Sequence, residues 1–524
     1  MSPQFRATLA SLVLTLATLP CASPALAQMP PISVPKGLTR FTMDGALGSY
    51  DHRFFDGRRE PLASDFSKES VGANFFPALT SAEEILKRVT GIPTAGLNIG
   101  STSALQQISI GTSGIGLAHG LTRRLTIFGY MPFTRVTVQA HISLDSTGAR
   151  SGFNPADPVF GDGAGLGQTL GFFAQFDVAL AQLDDAITSG AFDNDPARKL
   201  QAQQTIVDGT ALHSDLSALI LDPATSTFLP RETSPEGMAL LNKITALQNL
   251  LANNFGVTGF TLTPSLPTQG IGDEAFQGLL TNPDGPIAGS LEVPNIYTLG
   301  DIEVGAAYLL LDNRSETGEG IALTGEAMAR LPTSKLDRPE LFFDLGTGER
   351  QPDAEFRLTA DLAARRFGIR LAGGYAIQLS GKLQRRIAPP SQPIAYASTL
   401  AAITRKPGNV VMLSAQPFYR ITPTFALVAG ARYASRSVDT YDLFENQDSI
   451  PNAPPSLLAL ESAWTRYELS GGLAYSSPHI PLGDKPKMPM DAGMMFSSVV
   501  GASGGRVPAA VTVRAYLKLY ARFP

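Results

Sequence analysis

The sequence is poor in charge and has almost no cysteine. Charged residues make up 17% of its 524 residues, below the roughly 25% usual for soluble domains. The 41 lysines and arginines nearly balance the 46 aspartates and glutamates, giving a formal net charge of −5. A nucleic-acid-binding surface needs a basic excess, so the charge balance excludes a nucleic-acid partner.

The single cysteine, Cys21, excludes a disulfide framework, a thiol redox pair and a cysteinyl zinc site. The five histidines are scattered, and no two have the spacing of a metal-ligand pair. The glycine-rich runs Gly111–Gly116 and Gly161–Gly165 lack the order of a nucleotide loop and of a calcium loop, respectively. We therefore expect no cofactor and no metal.

The first 27 residues have the features of a secretory signal peptide. Arg6 precedes a largely apolar run from Leu9 to Leu19, and Ala25-Leu26-Ala27 is a small-residue cleavage site. After Ala27 there is no apolar run of about 18 residues, the length needed for a spanning helix. The mature protein is therefore expected to be exported, either as a soluble protein or as a barrel.

A regular alternation of apolar and polar residues recurs along the chain. The segment Val511–Phe523 alternates almost perfectly, which places one apolar row and one polar row on opposite faces of a strand. Further alternating segments begin near Phe41, Ile108, Leu125, Ile302, Ile321, Phe356, Phe367, Val411, Phe425, Thr465 and, more weakly, Asp491. Several are long enough for the about nine to eleven residues that cross a bilayer with tilt. The pattern predicts an all-β fold of about 12 (10–14) antiparallel strands.

The connections between these segments favour a transmembrane barrel over a soluble β-sandwich. Short links after the second, fourth, sixth and eighth strands alternate with long links after the odd-numbered strands, as expected for periplasmic turns and extracellular loops. The link from Ser476 to about Met490 is longer than this rhythm predicts. We expect the first strands in 28–144 and the others in 296–524, with the bilayer and the barrel-assembly machinery as partners in a bacterial outer membrane.

Between residues 145 and 295 the apolar period changes to three and four residues. This period predicts amphipathic helices from Leu166 to Ile187 and from Leu240 to Phe255, with a weaker one from Ala197 to Ile220. Strand parity assigns this helical loop insertion to the extracellular side. The pattern leaves open whether the insertion caps the barrel or plugs it.

Two stretches resemble a known group of barrels. The run Gly-Leu-Thr-Arg-Arg-Leu-Thr-Ile-Phe-Gly-Tyr-Met-Pro from Gly120 to Pro132 resembles the tight-turn hairpin of outer-membrane proteins associated with aromatic-hydrocarbon (phenol meta-pathway) degradation and of long-chain fatty-acid transporters. Gly300–Tyr308 is similar to their Gly-Asp-x-x-x-Gly-x-x-Tyr strand. The resemblance implies passive uptake of small hydrophobic molecules through a barrel.

In such a barrel the polar row would line the lumen. The expected lumen-lining residues are Arg330, Glu355, Arg357, Asp361, Arg370, Arg432, Arg436, Arg466, Glu468, Arg514 and Lys518. The full polar row also includes Arg420, Arg522, Asp44, Asp301, Glu303 and Glu326, so that ten basic residues outnumber seven acidic ones. Two interpretations stay open: a mildly cationic pore that favours anionic or amphipathic solutes, or charges that pair across strands and fill the interior.

Three functional hypotheses follow. The first is an outer-membrane barrel for passive passage of small hydrophobic or amphipathic solutes. The second is a barrel without transport that serves a structural or binding role, or a soluble secreted β-protein. The third is an outer-membrane esterase using His141 and Ser143, two residues apart on one strand face, with Asn154 nearby. Gly501–Gly505 matches a serine-hydrolase motif but precedes a strand rather than a helix, so we expect no catalytic residue there.

Overall fold

A computed structural model describes residues 32–522 except 77–78, 162, 223–226, 315–318, 423, 446 and 478–488. The expected signal peptide at 1–27, with its cleavage site and Cys21, lies outside the described residues.

Twelve antiparallel strands form a closed barrel. They are β1 (Thr39–Tyr50), β2 (Ser101–Gly120), β3 (Leu125–Asp145), β4 (Ile302–Asp312), β5 (Gly320–Leu331), β6 (Asp353–Ala364), β7 (Phe367–Gln378), β8 (Val410–Arg420), β9 (Phe425–Arg436), β10 (Trp464–Ser476), β11 (Met490–Gly504) and β12 (Val511–Ala521). Each strand pairs with its neighbour in this series, and β1 pairs with β12 to close the ring. The predicted fold class and strand number are confirmed.

The alternation along each strand separates a polar inner face from an apolar outer face. On β6, Thr359 is 2% exposed, whereas its neighbour Leu358 is 50% exposed. On β12, Lys518 is 1% exposed and Val513 is 38% exposed. Because the exposed row is apolar around the ring, the outer surface of the barrel is suited to lipid.

The two ends of the barrel differ in their connections. β2 and β3, β6 and β7, and β8 and β9 are joined by short turns at one end, where β1 begins and β12 ends. The long segments between β1 and β2, β3 and β4, β5 and β6, β7 and β8, and β9 and β10 all leave the other end. We call these the turn end and the loop end. At the irregular link, Ser476 of β10 still pairs with Asp491 of β11, and residues 478–488 between them lie outside the described part of the chain.

The hairpin of β2 and β3 is much longer than the other strands, with 20 and 21 residues. Near its turn, the outward residues are apolar, such as Ile115 and Ile127. Toward the loop end this polarity inverts: Val136 and Val138 point inward and are buried, while Arg135 points outward and is exposed. The inversion marks where the hairpin leaves the bilayer and begins to support other parts of the chain.

In the part of the chain that the structure describes, five helices lie in the loop-end segments: α1 (Thr80–Thr90), α2 (Leu166–Thr188), α3 (Pro196–Ile220), α4 (Pro235–Phe255) and α5 (Asp273–Thr281). Helices α2, α3 and α4 occupy the three predicted positions. Each of α3 and α4 begins with proline after a capping residue: Asp195 accepts a hydrogen bond from the Arg198 amide, and Ser234 accepts one from the Gly237 amide. The sequence patterns did not predict α1 and α5.

The helices share one hydrophobic core with the loop-end half of the barrel. Phe176 of α2 and Leu240 of α4 belong to the same buried cluster as Ile108 of β2 and Val136 of β3. This helical assembly, α1–α5, is called the cap below. Since Ile108 and Val136 point into the ring, the cap is seated on the inner surface of the extended strands, over the loop-end opening.

Short elements complete the loop end. Two- and three-stranded sheets form from Ser151–Phe153 and Phe228–Pro230; from His52–Phe55, Arg58–Pro61 and Val507–Pro508; and from Gly381–Arg386, Leu400–Lys406 and Thr440–Leu443. Asn295–Leu299 pairs with β3 beside β4, and single helical turns occur at Ser64–Phe66, Ala397–Thr399 and Pro455–Ala459. Within the described residues, no helix has the length and apolar character needed to span a membrane.

Candidate functional site: the barrel lumen

All eleven residues expected to line the lumen lie on inward-facing strand positions. They are Arg330 of β5; Glu355, Arg357 and Asp361 of β6; Arg370 of β7; Arg432 and Arg436 of β9; Arg466 and Glu468 of β10; and Arg514 and Lys518 of β12. Six of them are at most 8% exposed, so the lumen is densely filled rather than open like a wide pore.

A central group of charges connects β4, β5 and β6. The Arg330 guanidinium contacts Glu303 at 3.1 Å, Asp353 at 3.0 Å and Glu355 at 2.6 Å. Arg357 pairs with Glu355 as well. Because carboxylates from both neighbouring strands reach Arg330, its charge is balanced by hydrogen-bonded partners despite its burial.

A second group lies nearer the turn end. Arg370 of β7 contacts Asp361 of β6 at 2.6 Å. The Tyr130 hydroxyl donates to the Asp44 carboxylate at 2.6 Å. Lys518 lies directly opposite Asp491 in the β11–β12 register and is almost fully buried.

A third group lies at the loop end, where the long connecting segments meet the strands. Arg405 contacts Asp439 at 2.8 Å, and Arg436 of β9 contacts Glu349 at 3.2 Å. Burial opposes the charge of Arg405, but Glu349, Tyr441 and Asp439 outweigh it and raise the pKa of its guanidinium. Burial also raises the pKa of the Tyr441 hydroxyl, so Arg405 is the cation and Tyr441 the neutral member of this group.

A cavity of about 100 Å³ lies within the lumen, between the central and turn-end groups. Its polar walls come from both groups and include Asp44, Tyr130, Glu303, Arg357 and Lys518. The cavity thus adjoins side chains of both charge signs.

Chain segments lie against both ends of the lumen. At the turn end, residues 32–38 lie on the β1–β3 side of the opening: the Val34 amide donates to Thr126 Oγ1 at 2.8 Å, and the Gly37 amide donates to the Gly120 carbonyl at 2.8 Å. Ile32, in the same segment, lines the cavity. At the loop end the cap covers the ring.

The contacts favour the interpretation of paired charges for most of the lumen. Arg330, Arg357, Arg370 and Arg436 each make an ion pair within the barrel or its loops. Arg432 and Arg466 differ because neither makes an ion pair among the described residues, and the buried Nε atom of each has no hydrogen-bond partner there. Arg420 and Arg522, at the turn end, are more exposed; Arg420 donates to the Arg365 carbonyl at 3.2 Å.

Several interior residues were not among the eleven predicted. Asp353 is the first residue of β6, and Asp491 and Tyr130 lie on inward positions that the alternation of β11 and β3 already indicated. Glu349 and Asp439 come from loops. No strand pattern covers these two positions, so only their three-dimensional placement identifies them.

The structure does not bring the esterase residues together. His141 and Ser143 lie on the outer face of the extended part of β3, where Ser143 Oγ is 2.8 Å from Ser103 Oγ. Asn154 is buried and donates to the Ile220 carbonyl at 2.8 Å. Ser503, in the Gly501–Gly505 motif, is in β11 and lies 2.6 Å from Thr465 Oγ1, without a strand-to-helix elbow. Within the described residues, no three His, Cys, Asp or Glu side chains form a metal-binding group.

No protein-family model matches the chain, and no curated protein matches it significantly. Among solved structures, the chain is similar to an outer-membrane channel from Pseudomonas putida F1, with a TM-score of 0.40 and 8% identity over 94% of this chain and 100% of that chain. A FadL homologue of Pseudomonas aeruginosa gives a TM-score of 0.28 and 10% identity, covering 93% of this chain and 90% of that one. The Pseudomonas putida toluene transporter TodX gives 0.27 and 10% identity, covering 97% and 96%. The fold of this chain is established by its own strand pairing.

Proposed function

We propose that the protein is an outer-membrane channel for passive passage of small amphipathic solutes. The observation that carries the proposal is the cavity enclosed by the lumen, which is lined by Asp44, Tyr130, Glu303, Arg357 and Lys518. A barrel that only anchored the cap would have no need for a cavity in its lumen that is lined by both charged and apolar side chains. The apolar outer face and polar inner face support a membrane location.

The geometry suggests how such a channel would work. Ion pairs on the wall hold long charged side chains in place, so that a solute meets fixed dipoles instead of free charges. Passage requires displacement of residues 32–38 at one end and of loop-end segments at the other. Only a short segment, through hydrogen bonds such as those of Val34 and Gly37, contacts the ring at the turn end. This segment should therefore be easier to displace than the cap at the loop end.

The solute class follows from the lumen chemistry and from the sequence resemblance. The resemblance implies small hydrophobic molecules, and the charged wall favours solutes that also carry a polar group. We therefore propose amphipathic solutes, with the apolar part small enough to pass beside the paired side chains.

Reconstitution tests this function. Full-length protein in proteoliposomes should accelerate the entry of a small amphipathic anion that crosses lipid only slowly, such as radiolabelled p-toluenesulfonate followed by rapid filtration, relative to protein-free vesicles of the same composition. Passage should be independent of added energy sources. A barrel with a purely structural or binding role would leave the entry rate at that of protein-free vesicles, and this result would overturn the proposal.

The membrane location has its own test. After cell fractionation, the protein should remain with the outer-membrane fraction through carbonate extraction and enter solution only with detergent. Recovery in the soluble fraction without detergent would contradict a membrane barrel.

A further inference from the structure

Two arginines in the lumen differ from the others. Arg432 of β9 and Arg466 of β10 lie on adjacent strands, with Arg466 directly opposite Ala434. Within the described part of the chain, neither guanidinium makes an ion pair at 4.0 Å or less, although Arg466 is only 5% exposed. Buried Nε of both residues, and Nη2 of Arg466, have no hydrogen-bond partner among the described residues.

The nearest acidic side chain does not neutralise this pair. Glu468 is directly opposite Arg432 in the strand register and acts on it electrostatically, but the two form no ion pair among the described residues. Arg466 adds repulsion, since it also acts on Arg432. A buried guanidinium without a counter-charge is strongly unfavourable. Two such groups side by side are therefore expected to attract an anion.

The surroundings of the two arginines are apolar. Arg432 Nη2 approaches Met412 Sδ at 3.3 Å, and the Arg466 guanidinium lies 5.5 Å from the centre of the Trp464 ring. Met412 and Ala434 are in a small buried cluster against which Trp464 packs. A ligand at this place would meet two cationic groups next to thioether and indole surfaces.

The pair is linked to the cavity through its wall. Arg357 and Glu355, which line the cavity, act electrostatically on Arg432. Arg432 and Arg466 themselves lie near the loop ends of β9 and β10, outside the cavity lining.

We propose that Arg432 and Arg466 bind the carboxylate of an amphipathic monocarboxylate whose apolar part packs on Met412 and Trp464. This inference rests on the proposed channel function and names its ligand class. Guanidinium groups match a carboxylate with charge-assisted hydrogen bonds. The unsatisfied Nε and Nη2 atoms supply the donors, and the adjoining cluster supplies the apolar contact.

The chain provides its own reporter for this site, because Trp464 is the only tryptophan among its 524 residues. Full-length protein purified in detergent is titrated with octanoate while the tryptophan fluorescence is recorded. We expect a saturable change with octanoate and no saturable change with 1-octanol, which has the same chain length without the carboxylate. Sodium chloride at equal ionic strength should not produce the octanoate response.

Substitutions connect the response to the two arginines. Arg432→Met and Arg466→Met keep an unbranched apolar stem and remove the guanidinium, and each should raise the half-saturating octanoate concentration by about ten- to a hundredfold. Arg466→Lys keeps the charge and should show a smaller loss. Arg420→Met is the matched control: Arg420 is an inward arginine at the turn end of β8, bonded to a backbone carbonyl, and its removal should leave the titration unchanged.

The outcomes separate this inference from the channel function. Equal half-saturation in the wild type and in both methionine variants, each with wild-type far-UV circular dichroism, would overturn the site. The same response to 1-octanol or chloride as to octanoate would overturn the proposed ligand class. Solute flux in vesicles combined with either result would leave the channel function standing without this site, whereas absence of flux would overturn the channel itself.

Discussion

Arg330 shows at the scale of one residue how this lumen holds buried charge. It lies on β5, and its acidic partners Glu303 on β4 and Asp353 and Glu355 on β6 approach from both sides. Cross-strand neighbours on one face of an antiparallel sheet are close enough for such contacts. The three carboxylates would repel one another without the guanidinium between them, so the arginine holds the group together.

Removing this cation should therefore be costly. We expect Arg330→Met to lower the free energy of unfolding by about 3–5 kcal/mol, because it leaves several buried carboxylates without their counter-charge. The measurement is a urea titration in detergent micelles followed by circular dichroism. Arg522→Met, at an exposed turn-end position, is the control and should change the unfolding free energy little. Equal effects of the two substitutions would contradict the central role of Arg330.

Gly114 makes a different single-residue contribution. A Cβ atom at this position would lie 1.9 Å from the Tyr130 hydroxyl, which donates to Asp44 at 2.6 Å. Gly114→Ala should displace the tyrosine ring and lower the free energy of unfolding by about 1–3 kcal/mol. Gly501→Ala serves as the control because no atom lies within 4 Å of its added Cβ. The same urea titration measures the unfolding free energy of both variants. An unchanged unfolding free energy for Gly114→Ala would show that the Tyr130 ring does not depend on the space beside Gly114.

At this scale the sequence predicts which side chains face the lumen but not their partners. Alternation alone places Arg330, Arg357 and Arg370 on one face, because the side chains of a strand alternate in direction. Which acid each arginine meets depends on the stagger between strands, which the sequence pattern does not contain. Only the three-dimensional structure therefore shows that Arg370 has an ion-pair partner in Asp361, whereas Arg432 and Arg466 make no ion pair among the described residues.

At the scale of an element, the β2–β3 hairpin combines a barrel segment with an apolar outer face and an extension that supports the cap in one pair of strands. Ile115 is outward in the apolar part, and Leu105 is outward in the part beyond the inversion, where its neighbours Ser103 and Gln107 are polar. Both are exposed, at 41% and 74%. From the polarity of their neighbours, we expect Ile115 to face lipid and Leu105 to face water.

A matched pair of substitutions tests this division. Ile115→Arg places a charge in the lipid and should destabilise the barrel by about 2–4 kcal/mol. Leu105→Arg, on the same strand and the same face, should have almost no effect. Unfolding in lipid vesicles with urea measures both. A large cost for Leu105→Arg would mean that the apolar band extends further along the hairpin than the polarity inversion indicates.

The elements differ in how well the sequence predicts them. The strands and the helices α2, α3 and α4 repeat their apolar residues over many positions, so their periods are visible without a structure. Helix α5 has only nine residues, and α1 has eleven; such short segments contain few repeats. The apolar period of the helices does not indicate whether they cap or plug the barrel. Their position relative to the barrel depends on the core that Phe176 and Leu240 share with Ile108 and Val136, and this core is visible only in three dimensions.

At the scale of the whole molecule, two segments of unequal size lie at the ends of the lumen. The cap is a large assembly with a hydrophobic core, whereas the short segment 32–38 lies at the turn end of the described part of the chain. The short segment fits against Gly120, where an added Cβ would lie 2.3 Å from the Pro35 carbonyl oxygen and 2.4 Å from that of Val34. The turn-end closure therefore depends on a glycine.

Gly120→Val should displace this segment. We expect the variant to conduct ions in planar bilayers more often and for longer than the wild type, because the turn-end opening is no longer covered. The control is Gly129→Ala, whose nearest neighbour to the added Cβ is the Glu303 carbonyl at 3.8 Å. Identical conductance of Gly120→Val and the wild type would show that residues 32–38 do not limit passage.

The order of long and short connections in the sequence predicts most of the architecture. Alternating short and long connections predict a ring with its short turns at one end, and the twelve-stranded ring has that arrangement. The position of residues 32–38 at the turn end could not be predicted from the sequence. Residues 32–38 have no regular period, and their position follows from contacts with Gly120 and Thr126, which are far away along the chain.

The seam between β1 and β12 has a consequence for biogenesis. Asp44 belongs to the first strand of the ring, and Arg514 and Lys518, which act on it electrostatically, belong to the last. Thr42 is paired with Lys518 and Asp44 with Tyr516 across this seam. During synthesis the first of these charges emerges hundreds of residues before the others. Closing the ring and bringing Asp44 to its basic neighbours are therefore one event, and a nascent chain that lacks its final strand has neither a sealed edge nor these cations beside Asp44.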